Sequence, residues 1–313
     1  MFDLAALRAA VAAQGRVARV VIAAHDGSAP REVGAAMLVW ADGQAGTIGG
    51  GALEWEAAAR ARAALAEGRD RLDRQALGPA LGQCCGGAVT VLTEIYDAAA
   101  LDRLEGPVIA RAVAGPADMP LAVRGLLNRA RAEGMPPASR LIQGWMVEPV
   151  ARPSRQLWIW GAGHVGRAIV AVAAPLPGVA ITWIDMDGTR FPASLPEAVT
   201  ALWAANPADL VARAPSEAEH LVLTYSHALD LELCHRLLGR GFRSLGLIGS
   251  ATKWARFRGR LAALGHAPDQ IARIRCPIGD PGLGKHPQAI AVGVAAELLK
   301  NNDAETGRRD SAR

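Results

Sequence analysis

Apolar and polar residues alternate in two different ways along this chain, and the change falls near its middle. In the first part, short apolar runs mix with helical periodicity. A helix is expected near residues 3 to 13, followed by the apolar strand VARVVIAA, the turn DGSAPREVG and a strand AAMLVW that ends at Asp42-Gly43. The glycine cluster GTIGGGALE at 46 to 54 feeds an Ala-rich helix over residues 53 to 67, and LGQCCGG at 81 to 87 feeds the strand AVTVLTEIY. This is the pattern of an α+β unit. Between 106 and 155 the periodicity weakens, and Pro136-Pro137, Pro149 and Pro153 leave room for few unbroken elements.

The second half alternates cleanly. Strand LWIW, a helix from His164, strand VAITWID, strand LVLTYS, helix DLELCHRLLGRG, strand SLGLIGS, helix TKWARFRGRLAALG and a last helix after Pro287 follow one another. Such alternation predicts a parallel, doubly wound sheet. In the last helix Ile290, Val294 and Leu298 recur every four residues as one apolar stripe that should pack on that sheet. A boundary near 150 to 155 divides the chain into an α+β unit at 1–150 and a Rossmann-like unit at 151–313, an α/β architecture overall. Its 313 residues accommodate two such domains.

Composition narrows the function classes. The net charge of +4 is carried mostly by arginines scattered along Ala-rich helical segments, and aromatic content is 4%, so neither a basic platform nor a stacking surface for nucleic acid is expected. The apolar runs are too short or too interrupted by proline for a membrane span, and no signal peptide is legible. The four cysteines, at 84, 85, 234 and 276, have neither disulfide-scaffold density nor CxxC spacing, which favours a reducing, cytoplasmic setting.

Chemistry concentrates at two places. Gly161, Gly163 and Gly166 form GxGxxG directly after an apolar strand and at the opening of a helix, and Asp185 follows nineteen positions after Gly166 at the end of the next strand. In that pattern the first glycine permits the tight turn, the second lets backbone approach a phosphate, and the third lets helix and strand pack closely. Asp185 reads either as a ribose ligand or as a turn residue, and His164 either as a phosphate donor or as a solvent-facing helix start. The second place is Cys84-Cys85. Adjacent Cα atoms lie about 3.8 Å apart, below the usual disulfide range, so free thiols are expected. A thiolate there would suit a soft metal or carry sulfur, and the bland alternative is a pair of small buried apolar residues. Cys234 and Cys276 read as core or loop residues.

Taken together, GSAPREVGAAMLV at 27 to 39, GTIGGGALE and LGQCCGG resemble the N-terminal domain of the XdhC/CoxI family. IWGAGHVGRAI, SHALDLEL, LGLIGSATKWARFRGRLAALG and CPIGDPGLGKHPQAIAVGVAAELL resemble that family's Rossmann domain. The IGGGALEWEAA form is most similar to the family's xanthine dehydrogenase branch. The resemblance implies an accessory protein rather than an enzyme. It would bind molybdenum cofactor (molybdopterin with molybdenum) as cargo, protect it while a cysteine desulfurase partner supplies the terminal sulfur, and deliver it to apo-xanthine dehydrogenase. It further implies that Gly161, Gly163 and Gly166 match the family's GxGHV turn and that Cys84 or Cys85, in its CGG loop, is the thiol to lie near molybdenum. Where some family members carry a cysteine after the glycine cluster, this chain has Ala52. A homodimer is expected from the family type. The other reading left open by the residues is an NAD-dependent oxidoreductase using GAGHVG, with Asp185 on the ribose.

Overall fold

A computed structural model describes residues 1–78 and 86–310, with side chains described as far as residue 300. The chain divides into two compact units, Met1–Ala151 and Arg152–Arg313. Among the described residues no helix is long and apolar enough to cross a membrane.

The first unit opens with helix α1 (Leu4–Gln14) and strands β1 (Val17–Asp26), β2 (Ala36–Val39) and β3 (Gln44–Gly46). Helix α2 (Gly51–Glu67), strand β4 (Arg71–Ala76), strand β5 (Ala88–Tyr96) and the short helix α3 (Ala98–Leu101) follow. The five strands form an antiparallel sheet in the order β3-β2-β1-β5-β4. β1 is buried from Val17 through Ala23 because both of its faces are covered. Ala18, Val20 and Ile22 lie under Leu53, Ala57, Ala58 and Ala61 of α2, whose small side chains bring the helix close to the sheet.

The weak pattern between 106 and 155 conceals a second sheet, contrary to the sequence expectation. β6 (Val108–Ala112), helix α4 (Leu121–Glu133), β7 (Arg140–Ile142) and β8 (Trp145–Pro149) lie there, and the strands pair antiparallel in the order β6-β8-β7. Met146 of β8 packs against Val21, Ala23 and Leu92 on the far face of the larger sheet.

Arg19 occupies that same face of β1, where it meets Glu148 of β8 through two hydrogen bonds of 3.0 and 2.7 Å. Arg111 of β6 bridges Glu94 of β5, with two bonds of 2.5 Å, to Glu148 at 2.7 Å. The Arg19 guanidinium also lies 4.2 Å from the centre of the Phe2 ring. Glu148 is fully buried. Burial works against its charge, but the charges and hydrogen bonds of Arg19 and Arg111 prevail and hold its carboxyl below the ordinary 4.5.

A carboxylate depressed in the folded state contributes stability that is fully present above its unfolded value and is lost as pH falls through the lower folded value. Stability of the N-terminal unit should therefore be flat above about pH 5 and decline in acid. Glu148→Gln leaves two buried guanidiniums short of an anion and should lower unfolding free energy by about 3–5 kcal/mol in a urea titration. A loss under 1 kcal/mol would show that the network contributes little.

The second unit is built from β9 (Arg155–Trp160), α5 (His164–Ala173), β10 (Val179–Asp185), β11 (Val199–Trp203), β12 (Glu219–Val222), α6 (His227–Arg240), β13 (Ser244–Leu247), α7 (Ala251–Ala263), α8 (Pro268–Ala272), β14 (Ile274–Arg275) and α9 (Pro287–Asp310). Its six strands are all parallel, in the order β11-β10-β9-β12-β13-β14. Counted within the unit this is 3-2-1-4-5-6, the Rossmann order. α5 and α9 cover one face and α6 and α7 the other. Trp158, Trp160 and Trp183 are core residues, and the Ile290, Val294, Leu298 stripe of α9 packs on the sheet as its spacing predicts. The strand expected at LVLTYS ends at Val222, so Thr224 to Ser226 form a loop beyond the C-terminal end of β12.

Candidate functional site: the glycine turn of the second unit

In this strand order the connections from β9 and β12 leave toward opposite sides, which opens a crevice beyond their C-terminal ends. The three glycines of GAGHVG stand at that point, and they stand there for different reasons. Gly161 has a φ of +124°, and a Cβ there would lie 2.6 Å from the carbonyl oxygen of Leu223. A Cβ on Gly166 would lie 2.1 Å from the carbonyl oxygen of Gly161. Both positions need glycine for the fold itself. Gly163 has an ordinary φ of −75°, and nothing lies within 4 Å of where its Cβ would be. The protein does not need a glycine at 163; a ligand drawn up against the backbone would. Gly163 also caps α5 with no side chain bonded to the helix start, which leaves first-turn N–H groups turned outward. His164, the first residue of α5, is exposed.

Asp185 ends β10 with only 5% of its surface exposed. Its Oδ2 accepts the Ala162 N–H at 2.6 Å, and its Oδ1 accepts the N–H groups of Met186 at 2.7 Å and Asp187 at 3.3 Å. The carboxylate thus locks the glycine turn to the end of β10. In front of it the Arg190 Nε lies 3.7 Å from Oδ1, and the Arg190 guanidinium sits 4.8 Å from the centre of the Tyr225 ring. Trp160, Gly161, Asp185, Pro207, Thr224 and Tyr225 line a narrow slot beside the turn. On its far side Asp230, fully buried, accepts from the N–H and hydroxyl of Thr224 at 3.1 and 2.7 Å and from Lys253 Nζ at 2.6 Å. Lys253 Nζ also donates to the Ile248 carbonyl at 2.9 Å, tying the loop after β12 to the loop after β13. This lysine's charge is paired with Asp230 inside the scaffold.

The glycine cluster of the first unit is organised differently. Gly49, Gly50 and Gly51 have φ of +127°, +74° and +65°. They wrap the loop around Glu54, whose Oε2 accepts the Thr47 hydroxyl at 2.5 Å and the N–H groups of Ile48 at 3.0 Å and Gly50 at 3.1 Å. Burial opposes the Glu54 charge, but these bonds hold its carboxyl below the ordinary value. A Cβ on Gly49 would meet Pro30 at 2.6 Å, and one on Gly87 would meet the carbonyl oxygens of Ser28 and Asp26 at 2.4 and 2.5 Å. The GTIGGG loop, the turn at 27 to 33 and the end of the CCGG loop therefore gather at one place. Cys84 and Cys85 lie outside the described residues. Cys234 is buried and Cys276 half-buried. Among the described residues no group of three or more His, Cys, Asp or Glu is arranged to hold a metal.

Sequence reasoning found the glycines and Asp185 but missed Glu54, Arg190 and the Asp230–Lys253 pair. Glu54 stands one position beyond the residue where a helix-capping carboxylate is expected, which was its one available signal.

The fold and turn define a two-part protein in which an antiparallel α+β unit is followed along the chain by a nucleotide-type Rossmann unit, and comparison with known proteins gives that class a family. Residues 157–298 match the XdhC Rossmann domain, and residues 10–75 match the XdhC and CoxI family domain. The chain belongs to the XdhC and CoxI family. It is 30% identical over 284 residues to the uncharacterized protein YqeB of Escherichia coli (strain K12), covering 88% of this chain and 42% of that relative's length. It is also similar in fold to a xanthine dehydrogenase from Bacillus halodurans. The TM-score is 0.71 at 20% identity, over 96% of this chain and 95% of the other.

The roles assigned to the glycines separate in a single experiment. Gly166→Ala should destabilise the protein by about 1–3 kcal/mol through forced overpacking, whereas Gly163→Ala should stay within about 0.5 kcal/mol of the parent in thermal unfolding. Equal losses at the two positions would remove the distinction.

Proposed function

We propose that this protein is an accessory factor for xanthine dehydrogenase that binds molybdenum cofactor as cargo, protects it during sulfuration and hands it to the apoenzyme. The observation that carries the reading is the open space in front of Gly163, a glycine that the fold does not require, at the switch point of a Rossmann unit in an XdhC and CoxI family chain. The phosphate tail of a pterin cofactor suits N–H donors at the start of α5. Gly161, Gly163, His164 and Gly166 form the cradle and Asp185 holds the turn in shape; Cys84 or Cys85 is the candidate thiol that the family resemblance implies for molybdenum. The protein works in the cytoplasm, with a cysteine desulfurase as sulfur source and apo-xanthine dehydrogenase as recipient. Catalytic turnover has no place in this reading.

The test is equilibrium ultrafiltration with molybdenum cofactor and, separately, NAD. The wild type should retain the first and not the second. Gly163→Val should weaken retention by roughly 10-fold or more while the fold persists, since one mismatched contact of about 1.4 kcal/mol already gives that factor. Cys84→Ala and Cys85→Ala show which thiol contributes. Retention of NAD with no affinity for molybdenum cofactor would return the protein to the oxidoreductase class.

A further inference from the structure

Resting on the reading that the glycine turn of the second unit holds a ligand, we propose that Arg190 makes this site selective for a phosphomonoester attached to a flat heterocycle. Ligands that offer only a ribose diol are disfavoured. In Rossmann sites an acid at the end of the second strand receives the ribose hydroxyls, and an arginine nearby receives a phosphate in their place. Asp185 holds the acid's position but not its availability. It is buried, and three backbone N–H groups from two loops already occupy its two oxygens. With 5% of its surface exposed and both oxygens already facing backbone N–H groups, the carboxylate offers a diol little access.

Arg190 is in the opposite condition. It is 38% exposed, and its guanidinium donates no hydrogen bond among the described residues. It is nonetheless held in position. The Tyr225 ring lies beneath it, Asp185 attracts it from 3.7 Å, and Arg167 of α5 fixes its backbone by donating to the Arg190 carbonyl at 2.5 Å. The other carboxylate close by, the exposed Asp187, accepts the N–H and hydroxyl of Thr189 on its Oδ1, each at 2.8 Å. A planar fork of donors, pre-positioned and unspent, fits a phosphate dianion. Flat partners for a heterocycle are at hand as well, because Tyr225 is 67% exposed and Trp203, beside Gly188, is 68% exposed.

Two ligand sources share this chemistry, a pterin phosphate and a 2′-phosphorylated nucleotide, and calorimetric titration of the full chain separates them. One arm compares 6-hydroxymethylpterin phosphate with 6-hydroxymethylpterin; the other compares adenosine 2′,5′-bisphosphate with 5′-AMP. In the wild type the added phosphate should tighten binding roughly 10- to 100-fold in at least one arm. Arg190→Ala should abolish that gain and Arg190→Lys restore part of it, with only a modest fall in thermal stability, since the guanidinium gives up a 3.7 Å ion pair and a ring contact but no hydrogen bond among the described residues. A gain that survives in Arg190→Ala overturns the proposal and leaves the proposed function intact. An Arg190-dependent gain in the nucleotide arm alone upholds the proposal and counts against the pterin reading. If no probe binds, the selectivity does not exist, and ultrafiltration with molybdenum cofactor still decides the function separately.

Discussion

The C-terminal unit depends on the contact between Gly166 and the carbonyl oxygen of Gly161, a place with no room for one further carbon atom. That contact fixes how closely α5 lies against the end of β9, and the Asp185 bond to Ala162 fixes the turn from the other side. With both constraints in place the backbone at Gly163 is presented outward in a defined conformation without any side chain to hold it. A flexible loop could also offer N–H donors, but it would lose conformational entropy on binding that this turn has already lost on folding.

The N-terminal unit is held by a different kind of constraint. Its two sheets meet through apolar packing around Met146, yet the deepest part of the interface is ionic, with Arg19 and Arg111 shared between Glu94 and Glu148. Replacing such a network with apolar residues is often tolerated, whereas removing one member is not. The network is therefore better understood as fixing which strands face each other than as a large net source of stability.

Legibility in the sequence followed burial. The strands LWIW and VAITWID were readable because central parallel strands are covered on both faces and so appear as continuous apolar runs. The second sheet of the first unit was not, because β6, β7 and β8 are short, carry Arg111 and Arg140, and end at Pro149. β14 contributes only two residues, too few for any periodicity. At the site, the glycines were visible because each obeys a backbone rule tied to spacing. Arg190 was not, since it ends a single 3-10 turn after β10 where its position depends on Tyr225, which comes from a loop after another strand.

The capture of Glu54 by the GTIGGG loop has a consequence for how the chain partitions its anions. A carboxylate tethered four and six residues from the N–H groups it occupies acts at an effective concentration far above that of any free metabolite, so a dissolved phosphate competes poorly for those donors. The GTIGGG and GAGHVG loops thus look alike in sequence, but the first carries its own permanent counter-anion and the second has donors that stay open to solvent. Of these two, the second is the one able to exchange its occupant, which is what a carrier requires of its binding site.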